Sequence, residues 1–182
     1  MIATFKANPA GVVWGGTTTG GTSHIVAAQL AEQIGVPVKS VKYIPSAGSG
    51  QAFNALMAGD LNVITANYKS MQEEIASGRV RVLAVAAPER MAQVDAPTLH
   101  EAGYDIEMSY WAGVAAQPDI SSSERYKLQT MFSRLARSAT WRKIITDNAW
   151  NTYFAHSEPF RLFIDRENTR IQSTLRSLDI LK

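Results

Sequence analysis

Three short segments of small and polar residues carry the groups best suited to recognising an anion. They are residues 15–23 (GGTTTGGTS), 45–50 (PSAGSG) and 65–67 (TAN), each lying between an apolar segment and a helix-forming one. Glycines let backbone N–H groups point into a concavity, and Ser and Thr add hydroxyl donors. A helix N-terminus adds unsatisfied N–H groups and about half a positive charge. The expected ligand-binding residues are Thr17, Thr18, Thr19, Gly20, Thr22, Ser23, Ser46, Gly48, Ser49 and Asn67.

A simpler interpretation of the first segment is a flexible loop in which Thr22 or Ser23 only caps the helix that follows. The first segment alone does not separate the two interpretations. Three such segments at strand-to-helix junctions favour a binding site, because these junctions share the carboxyl edge of a parallel sheet. Open α/β proteins bind their ligands at that edge.

The elements that position these segments alternate between strand and helix. Short apolar segments predict strands, and apolar residues at helical spacing, followed by a glycine, predict helices. The alternation indicates a wound parallel α/β sheet with right-handed crossovers. Strands are predicted over residues 12–14, 38–44, 61–65 and 80–86, and helices over residues 22–34, 51–58 and 68–77.

The pattern changes near residue 105. Residues 106–116 predict one or two further strands, and the rest of the chain is mostly helical. The organisation expected is an α/β ligand-binding lobe over residues 1–107 and a helix-rich segment over residues 108–182. The later elements are predicted as helices over 121–137, 139–147 and 157–178, with a short strand over 150–154.

Motifs for catalysis, cofactors or metals are incomplete. Gly21 stands where a phosphate-binding P-loop requires Lys, and Phe53 stands where a dinucleotide fingerprint requires its third glycine. The chain has no Gly-x-Ser-x-Gly elbow and no cysteine, and its three histidines lack metal-ligand spacing. We therefore expect no enzyme activity, no cofactor and no metal. His24 is expected to pack locally or to donate one hydrogen bond. For Tyr43 and Tyr68, a place in the wall of a pocket and a role in packing are equally consistent with the sequence.

The amino-acid composition limits the kinds of partner that the chain is expected to bind. The chain has 18 basic and 16 acidic side chains and a net charge of +2. This balance argues against nucleic acid, which calls for a concentrated basic face. No apolar segment approaches the ~20 residues that span a bilayer. The N-terminal residues do not have the basic start and apolar stretch of a signal peptide.

The chain resembles the periplasmic substrate-binding receptors of tripartite tricarboxylate transporters, often called Bug receptors. The resemblance runs nearly end to end, and the order and spacing of its pieces make it specific. The matching segments are residues 6–9 (KANP), 20–24 (GGTSH), 41–46 (VKYIPS), 56–63 (LMAGDLNV), 81–85 (RVLAV), 96–104 (APTLHEAGY) and 111–114 (WAGV).

The resemblance implies a periplasmic-binding-protein fold of the type II kind. It also implies capture of a small carboxylate-containing metabolite for membrane permease subunits, and a periplasmic location. In that family the loop matching residues 17–23 contacts one end of the ligand, with the positions of Ser46, Ser49 and Asn67 nearby. About the first 110–120 residues of a typical member have no counterpart here, so we expect one complete α/β lobe plus the C-terminal, helix-rich part of the other lobe.

Alternatives remain open at this point. A cytoplasmic ligand-sensing regulatory domain shares this kind of fold, and a shortened chain could bind nothing. Apolar surface left without sheet partners after residue 106 is usually covered by another chain, which predicts a homodimer.

Overall fold

The computed structural model describes residues 1–148, 150 and 152–181. The chain divides into two compact units. The first, here called the α/β unit, comprises residues 1–110 and 169–182. The second, here called the helical unit, comprises residues 111–168. The sequence placed the boundary at 107/108, whereas in the structure the last fourteen residues group with the α/β unit.

A three-stranded parallel sheet lies at the centre of the α/β unit. Strand β1 (Val13–Gly16) pairs with β2 (Lys42–Pro45) on one side and with β3 (Val63–Ile64) on the other. The register places Gly16 opposite Pro45 and Gly15 opposite Ile64. All three strands therefore end at one edge, as the alternation of strands and helices predicts.

Four helices and three 3₁₀ turns complete the first part of this unit. Helix α2 is the most buried, because both its apolar residues and its alanines pack into a core with Phe5 and Trp14. Gly35 and Gly59, both with positive φ, lie at the ends of α2 and α3, where a left-handed residue terminates a helix without strain. The helices are α1 (Ile2–Ala7), α2 (Thr22–Gln33), α3 (Ser49–Ala58) and α4 (Gln72–Ala76), and the turns are Pro9–Gly11, Val38–Ser40 and Tyr68–Met71.

Two predicted strand regions do not form ladders. In residues 80–86 the structure has a single parallel bridge, between Val85 and Thr98. Residues 106–116 have no regular secondary structure, although the Met108 N–H donates to the Ala86 carbonyl at 2.8 Å. Both segments are apolar enough for strands, but a strand also needs a neighbour along its length, which composition does not reveal.

The helical unit contains α5 (Ser122–Arg137), α6 (Ala139–Asp147) and the first part of α7 (Ser157–Ser177). Trp111 packs edge-on against Phe160 and Phe163, with ring centroids 6.0 and 5.4 Å apart. No described residue of this unit is buried. The strand predicted over 150–154 includes Asn151, which lies outside the described residues, and its other positions are irregular.

The end of α7 and the turn after it belong to the α/β unit. Thr174 is buried and accepts a hydrogen bond from Gln29 Nε2 at 3.4 Å. Asp179 forms an exposed ion pair with Lys39. Across the described residues, no helix combines the length and the apolar character that crossing a membrane requires.

Candidate functional site

The first two polar loops meet at the carboxyl edge of the sheet. Because Gly16 and Pro45 are paired at the ends of β1 and β2, the loops that follow start side by side. The backbone N–H of Ser46 donates to the carbonyls of Gly16 and Thr17, at 2.9 and 3.3 Å. Residues 16–23 and 45–50 therefore form one continuous polar edge.

The third loop begins at the same edge. Thr65 N–H donates to the Gly15 carbonyl at 3.0 Å, which joins this loop to β1. Asn67 is exposed, and its side-chain oxygen accepts from Lys69 N–H at 3.0 Å. That oxygen holds the following 3₁₀ turn, so the group that Asn67 has left to offer a ligand is its side-chain NH₂.

Helix α2 begins without a side-chain cap. Its N-cap is Gly21, in an extended conformation (φ −79, ψ 177). The backbone N–H groups of Thr22, Ser23 and His24 have no hydrogen-bond partner in the described part of the chain. The interpretation in which Thr22 or Ser23 caps this helix is therefore wrong, and three amides face the loop edge unpaired.

Helix α3 begins in the same way. Gly48 is its N-cap and has extended backbone, and no side chain caps the helix. The N–H groups of Ser49, Gly50 and Gln51 likewise have no partner among the described residues. Two helices of 12 and 10 residues thus present unpaired N-terminal amides beside the joined loops.

A side chain from the first turn of each helix holds the loop that leads into it. His24 Nδ1 accepts from the Gly20 N–H at 3.1 Å, and Gln51 Oε1 accepts from the Ala47 N–H at 3.0 Å. Both acceptors occupy the third helical position, and both bind the amide of the residue just before the N-cap. His24 was expected to pack locally or to donate one hydrogen bond; in the structure it packs on Tyr43, and its Nδ1 accepts a hydrogen bond.

His24 is buried and stacks on Tyr43, with ring centroids 4.3 Å apart and planes at 14°. Burial lowers the pKa of His24 from its usual 6.5, so the imidazole is neutral at pH 7. With Nδ1 accepting from Gly20, the ring proton is assigned to Nε2.

Tyr43 is half-buried and packs against the first loop and the start of α2. Burial raises the pKa of Tyr43, although a hydrogen bond with Ser23 opposes this shift. The Tyr43 hydroxyl also approaches the Thr17 carbonyl, at 3.4 Å. A Cβ added at Gly16 would lie 2.4 Å from Ser23 Cβ and 2.7 Å from the Tyr43 hydroxyl oxygen, so this packing requires glycine there. The Ser23 hydroxyl is engaged, and Ser23 offers the site its backbone amide.

The other predicted site residues differ in exposure. Thr18 and Thr19 are exposed, Ser23 is buried, and six others are half-buried. Gly20 has a φ of +74, and a Cβ placed there would lie 3.4 Å from both Leu175 and Ile180. The half-buried residues are Thr17, Gly20, Thr22, Ser46, Gly48 and Ser49.

Sequence reasoning did not identify His24 and Gln51 as residues that hold the loops. The available signal is an acceptor side chain three residues after the glycine that precedes each helix, as in Gly21–His24 and Gly48–Gln51. Among the described residues, no group of three or more His, Asp or Glu could hold a metal ion.

The fold is that of periplasmic solute-binding proteins. A TctC solute-binding protein from Polaromonas superposes with a TM-score of 0.75 at 23% identity, covering 92% of this chain and 57% of that one. A protein of R. palustris solved with adipate gives a TM-score of 0.76 at 19% identity, covering 99% and 60%. The periplasmic binding protein BugD gives 0.67 at 19% identity, covering 100% and 61%.

Residues 1–180 match the family described as "Tripartite tricarboxylate transporter family receptor", and the chain belongs to this family. Protein BugT of Bordetella pertussis is 30% identical over 118 residues, which are 64% of this chain and 35% of BugT. A UPF0065 protein from the tcbD-tcbE intergenic region of Pseudomonas sp. (strain P51) is 28% identical over 119 residues, which are 64% of this chain and 34% of that protein. The match thus spans about a third of each curated relative. The family is one of solute-binding receptors and not of enzymes.

Proposed function

We propose that the joined edge of residues 16–23 and 46–51 binds a carboxylate group of a small organic acid, as part of a solute receptor for a tripartite tricarboxylate-type transporter. The observation that carries the proposal is the pair of adjacent helix starts whose six amides have no partner in the described structure. Backbone amides at helix N-termini are well suited to negative oxygen atoms.

The neighbouring hydroxyl groups add donors to these amides. Thr18 and Thr19 are exposed in the first loop, and Ser46 and Ser49 are half-buried in the second. In the described structure none of these four hydroxyls takes part in a hydrogen bond within the chain. Such donors bind a carboxylate through directed hydrogen bonds, without a formal positive charge in the site.

A dicarboxylate is the ligand class that we favour. The structural neighbour from R. palustris was solved with adipate, a linear dicarboxylate. A chain that spans about 60% of that protein offers fewer contacts, so millimolar affinity is the expectation for this chain alone.

Amide-resolved NMR titration tests this proposal. With adipate, the amide signals of Thr22, Ser23, Ser49 and Gly50 should shift in a saturable way. Adipamide, which has the same length and no charge, is the matched control ligand and should shift them far less. Equal responses to the two ligands, or shifts confined to other regions, would contradict a carboxylate site.

A double variant, Thr18→Ala with Thr19→Ala, tests the hydroxyl groups. Each lost hydrogen bond to a charged ligand should weaken adipate binding by about 1.5 kcal/mol, roughly tenfold. Thr140→Ala, at an exposed position of α6, is the control variant and should bind adipate like the parent chain. If the double variant bound as tightly as Thr140→Ala, the hydroxyl groups would have no part in recognition.

Delivery to permease subunits in the periplasm belongs to the same proposal. Family membership and the periplasmic neighbours support it. Uptake of a labelled organic acid by vesicles containing the permease should depend on added receptor. Uptake that is unchanged by the receptor would contradict delivery.

The homodimer expected from the sequence also stays a proposal. In the helical unit no described residue is buried, and Tyr126, Met131 and Leu135 are 70%, 52% and 44% exposed. Such an apolar surface is usually covered by another chain. A mass of about twice 19.9 kDa by light scattering at micromolar concentration is the expected result, and a monomer mass would contradict it.

A further inference from the structure

We propose that His24 and Gln51 are positioning residues that hold the two loops in their ligand-receiving conformation while leaving the helix amides available. The geometry behind the proposal is a pair of matching hydrogen bonds, from Gly20 N–H to His24 Nδ1 and from Ala47 N–H to Gln51 Oε1. The purpose assigned to them rests on the proposed function of the same edge.

The arrangement is related to a capping box but shifted by one residue. In a complete box the N-cap side chain accepts from the amide at the third helical position, and the side chain at that position accepts from the N-cap N–H. Here the third-position side chain accepts instead from the residue before the N-cap, Gly20 or Ala47. In α2 and α3 the N-cap is glycine, which has no side chain to occupy an amide. The bond to the residue before the N-cap fixes the loop, and because no N-cap side chain is present, the first helical amides stay unpaired.

Both acceptors are also uncharged. A Glu at the third helical position would hold the loop equally well, but its carboxylate would lie at the helix start, where the amide dipoles favour negative charge. The added negative charge would cancel part of the positive electrostatic field that attracts a ligand carboxylate. Gln51 carries an uncharged amide side chain. Burial lowers the pKa of His24 and so keeps its ring neutral.

The surroundings of His24 support a neutral acceptor. Tyr43 on β2 is the titratable group stacked on the ring, and loop residues 15–23 carry no ionisable side chain. The C-terminal turn, which borders Gly20 through Leu175 and Ile180, carries Asp179, and Asp179 is paired with Lys39. Protonation of Nδ1 would replace the acceptor by a donor and break the bond to Gly20.

Two pairs of substitutions distinguish the effect of losing the hydrogen-bond acceptor from the effect of changing the side-chain volume. His24→Phe keeps a ring to stack on Tyr43 but has no acceptor, whereas His24→Asn has an oxygen near the place of Nδ1. Gln51→Met keeps the length without the acceptor, whereas Gln51→Glu keeps the acceptor and adds charge. In the absence of ligand, hydrogen exchange at Gly20 should accelerate about tenfold in His24→Phe and much less in His24→Asn. Exchange at Ala47 should respond in the same way to Gln51→Met, and not to Gln51→Glu.

Adipate binding gives the second readout. Gln51→Glu should leave Ala47 protected but weaken adipate binding about tenfold, because the added carboxylate repels the ligand. Parent-like exchange in both His24→Phe and Gln51→Met would overturn the positioning role, whatever the ligand result. Altered exchange with no adipate response in the parent chain would instead count against the proposed function alone.

A pH titration without ligand completes the test. The Gly20 amide signal should move as the pH falls below about 6.5, the ordinary pKa of histidine, and should stay constant over that range in His24→Asn. A Gly20 signal that is equally constant in the parent chain down to the pH of unfolding would contradict the role of the neutral imidazole.

Discussion

The starts of α2 and α5 both have a third-position side chain that accepts a backbone hydrogen bond, but only α5 has an N-cap side chain. At α5, Ser121 accepts from the Glu124 N–H while Glu124 accepts from the Ser121 N–H, so the capping box is closed. At α2, Gly21 stands in the place of the capping serine, and His24 accepts from the Gly20 N–H, one residue before the N-cap. The start of α5 thus has its Glu124 amide paired, whereas the equivalent amide of His24 at the start of α2 has no partner among the described residues.

The closed form also occurs within the α/β unit. Thr98 and Glu101 exchange the same two hydrogen bonds, at 2.8 and 3.0 Å, at a turn away from the loop edge in sequence. The Thr98 backbone N–H and the Arg90 side chain donate hydrogen bonds to the Glu101 carboxylate and hold its pKa below its usual value. Paired and unpaired N-terminal amides therefore both occur within the α/β unit.

The largest effect is expected from crowding the open start of α2. In Gly16→Val the added atoms would overlap Ser23 and the Tyr43 hydroxyl, which lie 2.4 and 2.7 Å from the first added carbon. We expect the free energy of unfolding to fall by about 3 kcal/mol in a urea titration. The control is Gly50→Ala, where an added Cβ meets nothing within 4 Å. Equal stability of the two variants would show that Ser23 and Tyr43 do not need the space at Gly16.

A smaller effect is expected from opening the closed box. Ser121→Ala should destabilise the start of α5 by about 1 kcal/mol, because it removes the acceptor for the Glu124 amide. Amide exchange at Glu124 measures this, with Ser122→Ala as the control at the adjacent exposed position. Adipate binding should be unchanged in both variants. If Ser121→Ala altered adipate binding, the separation of structural and binding helix starts would be wrong.

The smallest effect on stability is expected from closing an open start. Gly48→Ser supplies an N-cap hydroxyl at a position with extended backbone and nothing within 4 Å of the added carbon. We expect a gain of about 0.3 kcal/mol over the parent chain, whose N-cap is glycine, in thermal unfolding, together with weaker adipate binding, because the hydroxyl competes for the amides. Stronger binding in Gly48→Ser would show that a capped helix start recognises the ligand better than an open one.

The helices could be predicted from the sequence because their signals are local. The predicted range 121–137 starts within one residue of α5, and the glycine after the predicted range 51–58 marks the end of α3. Residues 80–86 were predicted as a strand from composition, yet only Val85 is bridged. Strand pairing depends on partners distant in sequence, which no local pattern specifies.

The candidate site could be predicted only in outline. The polar loops were recognised because glycine and hydroxyl residues at strand-to-helix junctions have a general meaning. The roles of His24 and Gln51 depend on the helix start to a single residue, and boundaries are the least certain part of a prediction from sequence. Whether the Ser23 hydroxyl points outward or into Tyr43 depended on β2, which is brought beside the loop by the sheet.

The packing of Leu175 and Ile180 beside Gly20 has a practical consequence for handling the protein. A fusion partner or purification tag attached after residue 182 would begin within a few residues of a side chain that borders the first loop. Contact between such a tag and the first loop would give a signal in calorimetry or fluorescence that resembles ligand binding. Removing it by a protease before any titration, or moving it to the opposite terminus, keeps the measurement on the protein itself.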